Sequence, residues 1–370
     1  MKIPLSSPDI IKKDRDSVLK VLNTSQLSLG PKLKEFEVKI ASYIGVKYAV
    51  GVCNGTAALH MIVRALGIKR GEEVITTPFS FVSSSNCFLY EGAKPVFVDI
   101  CPDTLNIDTS KIEKRIGKKT KAILAVDVFG NPADWGRLRL IARKHNLRLI
   151  EDSAEAIGSE YCGKKCGSLA DAAILSFYPN KQMTTGEGGA VLTNNKSLAS
   201  LCRSLSNQGR KAKGGSWLEH LRLGYNYRLS DINAALGISQ LSRISEMIEK
   251  RKKVAGMYNF YFKGTEGISM PFANPDAKVS WFVYVIRLKD KYTRADRDRI
   301  ISILFKKGIQ SSTYFRPIHL QHFYRSLFGY KKGDFPVCEH VSDRTIALPF
   351  YNNLSEKEVR YITDTLKGIL

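Results

Sequence analysis

Between about residues 45 and 195, short apolar runs alternate with stretches that carry apolar residues at helical spacing. The runs Lys47–Val52, Glu73–Thr76, Pro95–Asp99, Ala122–Val126, Arg148–Glu151, Ala173–Phe177 and Ala190–Thr193 predict strands. Several are continuously apolar, as strands covered on both faces are. Ala57–Leu66 and Asp134–His145 have the length and spacing of helices. The alternation predicts an α/β layered domain around a largely parallel sheet. Beyond about residue 230 the texture changes. A long helical stretch is expected from Ser230 to about Phe262, then a passage through Gly264, Gly267 and Pro271. A strand (Trp281–Leu288), a helix (Arg294–Lys307), a loop rich in aromatics and histidine, and a closing helix from Ser355 complete the pattern. This half reads as a smaller α+β domain, with the division placed at 1–245 and 246–370. No internal repeat or low-complexity tract interrupts either part.

Composition narrows the picture. The 370 residues are 44% hydrophobic and 25% charged, ordinary for a globular chain of one large and one smaller domain. No apolar run approaches the roughly 18–20 residues of a membrane span. The start, Met1 to Pro8, lacks the apolar core of a signal peptide. A cytoplasmic protein without membrane contact is expected. The seven cysteines (Cys53, Cys87, Cys101, Cys162, Cys166, Cys202, Cys338) are odd in number and scattered, which reads as free thiols. Cys162 and Cys166 flank a Gly-Lys-Lys turn with no second pair to complete a zinc site, and His319 and His322 have no ligand beside them in sequence. No metal is expected.

Charge adds less than its size suggests. The net charge of +22 is spread along the whole chain, without the stripe or motif of a nucleic-acid reader. Its densest run, Lys250–Lys253, interrupts a helical pattern (Ile244, Met247, Ile248, Val254, Met257, Tyr258) and predicts a solvated helix face. Attraction of an anionic substrate such as a nucleotide-sugar and a merely basic surface account for it equally well.

Ligands of open α/β sheets bind at the carboxyl ends of strands. One such end is Val52-Cys53-Asn54-Gly55-Thr56-Ala57-Ala58, a strand running into a helix. Gly55 allows close backbone approach, Thr56 offers a hydroxyl, and the helix start presents free N–H groups suited to a phosphate. A plain N-cap by Asn54 or Thr56 explains the same residues. A second end, Leu149-Ile150-Glu151-Asp152, closes on two acids that suit a metal, a helix cap or a cofactor cation. The third is Ser176-Phe177-Tyr178-Pro179-Asn180-Lys181, followed by the glycine-rich turn to Gly189. A lysine so placed is open to desolvation and to imine formation with an aldehyde. A phosphate cradle, an anion and an amine at three strand ends are together what pyridoxal phosphate requires.

These stretches resemble the DegT/DnrJ/EryC1/StrS family of sugar aminotransferases. The resemblance is carried by Glu151–Gly158, Cys166-Gly167-Ser168, Ser176-Phe177, Lys181 and Thr185–Gly189. Leu29-Gly30-Pro31-Lys32 with Phe36-Glu37, Asn54–His60 and Gly224–Ser230 extend it, in order, from Ile3 to about Leu366. It implies a fold-type I α/β enzyme, a homodimer with shared active sites, that uses pyridoxal 5'-phosphate to aminate a nucleotide-linked keto sugar from L-glutamate. By the same resemblance Lys181 is the Schiff-base and proton-transfer lysine, and Asp152 pairs with the pyridinium nitrogen. Phe81 lies over the cofactor, or else packs in the core. Gly55, Thr56 and Ser176 meet the phosphate, and Asn226 reaches it from the neighbouring subunit.

Two positions depart from the family pattern. Glu155 stands where many members have Gln or His beside the phenolic oxygen, and a carboxylate there needs a proton, a water or a cation. Glutamate at this position resembles the perosamine-synthase-like branch, which aminates C4 of a 4-keto-6-deoxy sugar. Asp127 replaces a frequent His and leaves sugar specificity open, as does Tyr314-Phe315-Arg316-Pro317-Ile318-His319, an aromatic connection or a specificity segment. Family members with His in place of the lysine dehydrate or deoxygenate, and a nonenzymatic regulatory role is the reading of a different class. The presence of Lys181 with Asp152 and Ser176 favours transamination.

Overall fold

A computed structural model describes residues 2–211, 218–272, 274 and 276–370. Its main sheet has seven strands: β1 (Tyr48–Val52), β2 (Glu73–Thr76), β3 (Lys94–Phe97), β4 (Thr120–Val126), β5 (Arg148–Asp152), β6 (Ala172–Ser176) and β7 (Gly189–Thr193). They lie in the order β1-β7-β6-β5-β4-β2-β3. Only β7 runs against its neighbours; β6, β5, β4, β2 and β3 pair in parallel. These are the seven runs the hydrophobic pattern predicts, with ends displaced by one or two residues. Their continuous apolarity follows from cover on both faces. Val50, Val52, Leu124, Ile150 and Ile174 pack into one core, and Ala49, Ala173, Leu175 and Leu192 into another on the opposite side.

Register sets where the strand ends meet. Val52 pairs with Gly189, and Gly189 with Ser176, so the turns after β1 and β6 leave the sheet at one level. A side chain at Gly189 would drive a Cβ to 2.6 Å from the Asn54 carbonyl carbon, which is why glycine sits between them. The chain then enters helix Gly55–Ala65, whose start is fixed by the Asn54 side chain accepting the Ala57 N–H.

A second, antiparallel sheet joins β8 (Ile268–Ser269), β9 (Tyr284–Leu288) and β10 (Thr345–Leu348). It packs with helices Ile244–Phe262, Arg294–Lys306 and Glu356–Lys367 around Tyr258, Tyr284, Ile300, Phe350 and Ile362. The closing helix starts on a Ser355–Glu358 capping box. It buries Val359, Ile362 and Leu366, each contributing about 1.5–3 kcal/mol.

Four expectations change here. The stretch expected as one helix from Ser230 is two, Asp231–Leu241 and Ile244–Phe262. Arg243 leaves helical geometry at the join, and its guanidinium turns inward to the buried carboxylates of Asp9 and Asp14. The Lys250–Lys253 run is not wholly solvated, for Arg251 is buried. The strand expected from Trp281 begins at Tyr284. The aromatic loop contains helices His322–Phe328 and Pro336–Ser342 and strand β10. Its apolar positions answer to the main core, where Phe315, Ile318, Tyr324 and Phe335 pack, and so show no simple period.

All seven cysteines are free thiols. No helix among the described residues is long and apolar enough to cross a membrane.

Candidate active site

The ends of β1, β5 and β6 open onto one cavity of about 520 Å³. Gly55, Thr56, Phe81, Asp152, Glu155, Ser176 and Lys181 all line it. Within it, Ser176 faces the start of helix Gly55–Ala65. A Cβ on Gly55 would stand 3.2 Å from that of Ser176, so glycine keeps the helix's first N–H groups open to the cavity. Thr56 presents a hydroxyl there, 2.7 Å from that of Ser83. The capping reading of Asn54 holds, and it leaves room for a phosphate, since its side chain takes only the Ala57 N–H.

Asp152 is a buried residue of the cavity lining. The Ser84 hydroxyl donates to one carboxylate oxygen at 2.7 Å, and the Ala154 N–H to the other at 3.1 Å. Burial pushes its carboxyl above the usual range; Ser84, Ala154 and the Lys181 charge partly offset this. Lys181 follows the turn after β6. Its Nζ lies 3.6 Å from Glu155 Oε1 and 3.9 Å from the centre of the Phe282 ring. Burial holds its amine below the ordinary lysine value, against the pull of Glu155 and Asp152. Glu155, pushed upward by its own burial, also accepts the Phe129 N–H at 2.8 Å. Lys181 is the basic group that Glu155 meets in this structure.

Phe81 is 62% exposed and lines the cavity rather than packing in the core. Tyr314 and Phe315 line it too, whereas Arg316 is exposed and does not. His319 is buried and paired with Glu339 at 2.9 Å, a partner 20 residues away that sequence proximity does not reveal.

Two sequence candidates lie elsewhere. Asp127 is fully buried behind the site, where its carboxylate accepts from the Ala133 N–H and the Trp135 indole and lies 3.0 Å from the Ser153 hydroxyl oxygen. It faces the core, so its departure from His has no direct contact with a sugar. Cys166 and Glu151 close a buried group with Asp127, their ligand atoms all within 4.8 Å. Its carboxylates are already engaged: Glu151 accepts from Ser153, Gly167 and Leu169. Asn226 is exposed and absent from the lining of this chain's own cavity.

Phe282, Tyr178, Asn180, Glu187 and Ser84 join the site without having been singled out. The only trace of Ser84 in the sequence is the Ser83-Ser84-Ser85 run beside Phe81.

A buried amine, a buried carboxylate and an open helix end around one cavity match the three chemical demands of pyridoxal phosphate: aldehyde, ring nitrogen and phosphate. Fold and site together define a pyridoxal phosphate-dependent aminotransferase. The DegT/DnrJ/EryC1/StrS aminotransferase family matches residues 8–367, and the chain belongs to that family. It is 36% identical to the GDP-perosamine synthase of Caulobacter vibrioides, over 100% of this chain and 98% of that one. Among solved structures, PseC of Helicobacter pylori, an aminotransferase of pseudoaminic acid biosynthesis, superposes with a TM-score of 0.95. The two are 32% identical over 100% of this chain and 99% of that one. The pyridoxal phosphate form of the sugar aminotransferase Spr1654 from Streptococcus pneumoniae matches at a TM-score of 0.95 and 31% identity, covering 100% and 98%.

Proposed function

We propose that this enzyme moves the amino group of L-glutamate to C4 of a nucleotide-linked 4-keto-6-deoxyhexose, for a surface polysaccharide or glycoconjugate. The observation that carries the reading is the convergence of Lys181, Asp152 and Glu155 on one cavity whose far end is an anion cradle. The glutamate at position 155 and the likeness to a GDP-perosamine synthase support amination at C4.

When bound, the cofactor supplies an aldehyde that accepts amino groups and a ring that withdraws electrons. Lys181 supplies the amine for that aldehyde. Because burial favours its neutral form, the same nitrogen is suited to take and return a proton. Asp152, fixed by Ser84 and Ala154, holds a negative charge for the ring nitrogen. Gly55, Thr56 and Ser176 receive the phosphate, Phe81 covers the ring, and Glu155 stands at the phenolic side. Asn226, exposed and outside its own cavity, serves the phosphate of a second copy, which makes the working unit a homodimer. A cytoplasmic setting fits the seven free thiols.

The test is a panel of nucleotide-linked keto sugars incubated with glutamate, the products read by mass spectrometry and NMR. Amination at C4 is expected. Amination at C3 alone, or of no sugar with any amino donor, would remove the proposal.

A further inference from the structure

Arg251 carries a charge that the chemistry above does not use. It lies on helix Ile244–Phe262, only 2% exposed. No carboxylate stands within ion-pair distance of it among the described residues. Its closest ionic influence is Asp9, which is itself paired with Arg243 and Lys250. Burying an unpaired guanidinium is costly, so such a residue is held by something it does.

What holds it is backbone. One arm of the fork donates to the Phe282 carbonyl at 2.9 Å, and the other to the Lys181 carbonyl at 3.1 Å. The guanidinium carbon is 5.6 Å from the centre of the Phe350 ring, and Nε has no partner. The two residues it grips are the site lysine and the aromatic ring against which that lysine's amine rests. A planar fork with two fixed arms suits this task better than an ammonium does.

We propose that Arg251 is a positioning residue for Lys181, locking the lysine's main chain to Phe282 and holding a fixed positive charge at the Lys181 carbonyl. The proposal rests on the assignment of Lys181 to the cofactor aldehyde, and borohydride mapping of the wild-type protein tests that assignment separately. Other titratable groups also face the amine or its cavity: Asp152 at the end of β5, Glu155 just beyond it, and Tyr178, Tyr314 and Glu187 in the cavity lining. Burial brings Arg251 down to about 10, so it stays charged at neutral pH. Its charge opposes protonation of Lys181, while the two carboxylates favour it.

The experiment compares Arg251→Gln and Arg251→Lys holoproteins with wild type by pH titration of the visible cofactor band and by steady-state kinetics. Loss of the positive charge in Arg251→Gln should move the midpoint of the band to higher pH by about half a unit or more. Arg251→Lys keeps the charge but cannot span both carbonyls as a fork. Its midpoint should stay near wild type while kcat falls about tenfold from loosened geometry. Its KM for glutamate should change less than about twofold. An unchanged midpoint in folded Arg251→Gln, or wild-type kcat in folded Arg251→Lys, overturns the proposal. Should Arg251→Gln not fold, Arg251→Lys decides alone.

Discussion

Lys181 and Glu155 face each other at 3.6 Å in the wall of one cavity, the carboxylate buried and the lysine side chain 12% exposed. Each perturbs the other's proton equilibrium. Burial lowers the amine and raises the carboxyl, while their mutual attraction opposes both shifts.

Lys181→Ala is expected to remove the visible absorbance band of the purified protein. Borohydride reduction of the wild type, followed by peptide mapping, should place the pyridoxyl group on Lys181. A label found on another lysine would withdraw the assignment.

Glu155→Gln should be tolerated better than Lys181→Ala, with a changed pH profile. The sign follows from charge. Glu155 raises the affinity of the Lys181 amine for a proton, so its neutralisation lowers that affinity further. The titration midpoint of the cofactor band should therefore move to lower pH, opposite to the shift expected for Arg251→Gln. A midpoint that stays in place would take Glu155 out of contact with the lysine.

Asp152→Asn should keep some cofactor but lose turnover by roughly 10²–10³-fold, the scale of one aimed electrostatic contact. Single-turnover kinetics on folded protein checks this. Near-normal turnover would mean that Ser84 and Ala154 hold Asp152 for structure alone.

The shared site proposed above predicts complementation. A Lys181→Ala chain lacks its amine but can lend Asn226, while an Asn226→Ala chain keeps its lysine. Random pairing on co-expression gives about half heterodimers, each with one intact site. Activity at limiting pyridoxal phosphate should exceed that of either mutant homodimer. If Asn226→Ala weakens cofactor binding and isolated heterodimers still gain nothing, Asn226 acts within its own subunit.

The carboxylates of Asp127 and Glu151 come within 4.8 Å of each other in the core, and burial raises both carboxyls. The folded pair therefore keeps a proton that the unfolded chain releases above the ordinary carboxylate range. Its stabilising effect is full at low pH and is lost as pH rises through the raised folded range, by at most about 1.4 kcal/mol per pH unit. Asp127→Asn keeps an acceptor for Ala133 and Trp135 and removes one of the two carboxyls. Its melting temperature should fall less steeply than that of wild type as pH rises above the ordinary carboxylate range. Parallel slopes would show that the pair holds no extra proton.

The sequence by itself determined the strands, because covered strands are apolar without interruption, and it drew attention to Lys181, Asp152 and Gly55 at strand ends, where ligands of such sheets bind. The resemblance read from those motifs brought the family, the cofactor, Ser176 and Phe81. What only the tertiary structure decided are relationships between distant positions. Asp127 follows β4 much as Asp152 closes β5, yet one faces Trp135 and the core while the other opens onto the cavity. No local pattern separates them. Arg251 sits in a run of four basic residues, and its burial depends on carbonyls contributed from residues 181 and 282. His319 finds Glu339, and Ser84 finds Asp152, across 20 and 68 residues of chain. Periodicity reports which face of an element is covered. Which particular group covers it, and whether a buried charge meets an amine, a carbonyl or another acid, is set by the packing of elements that share no sequence neighbourhood.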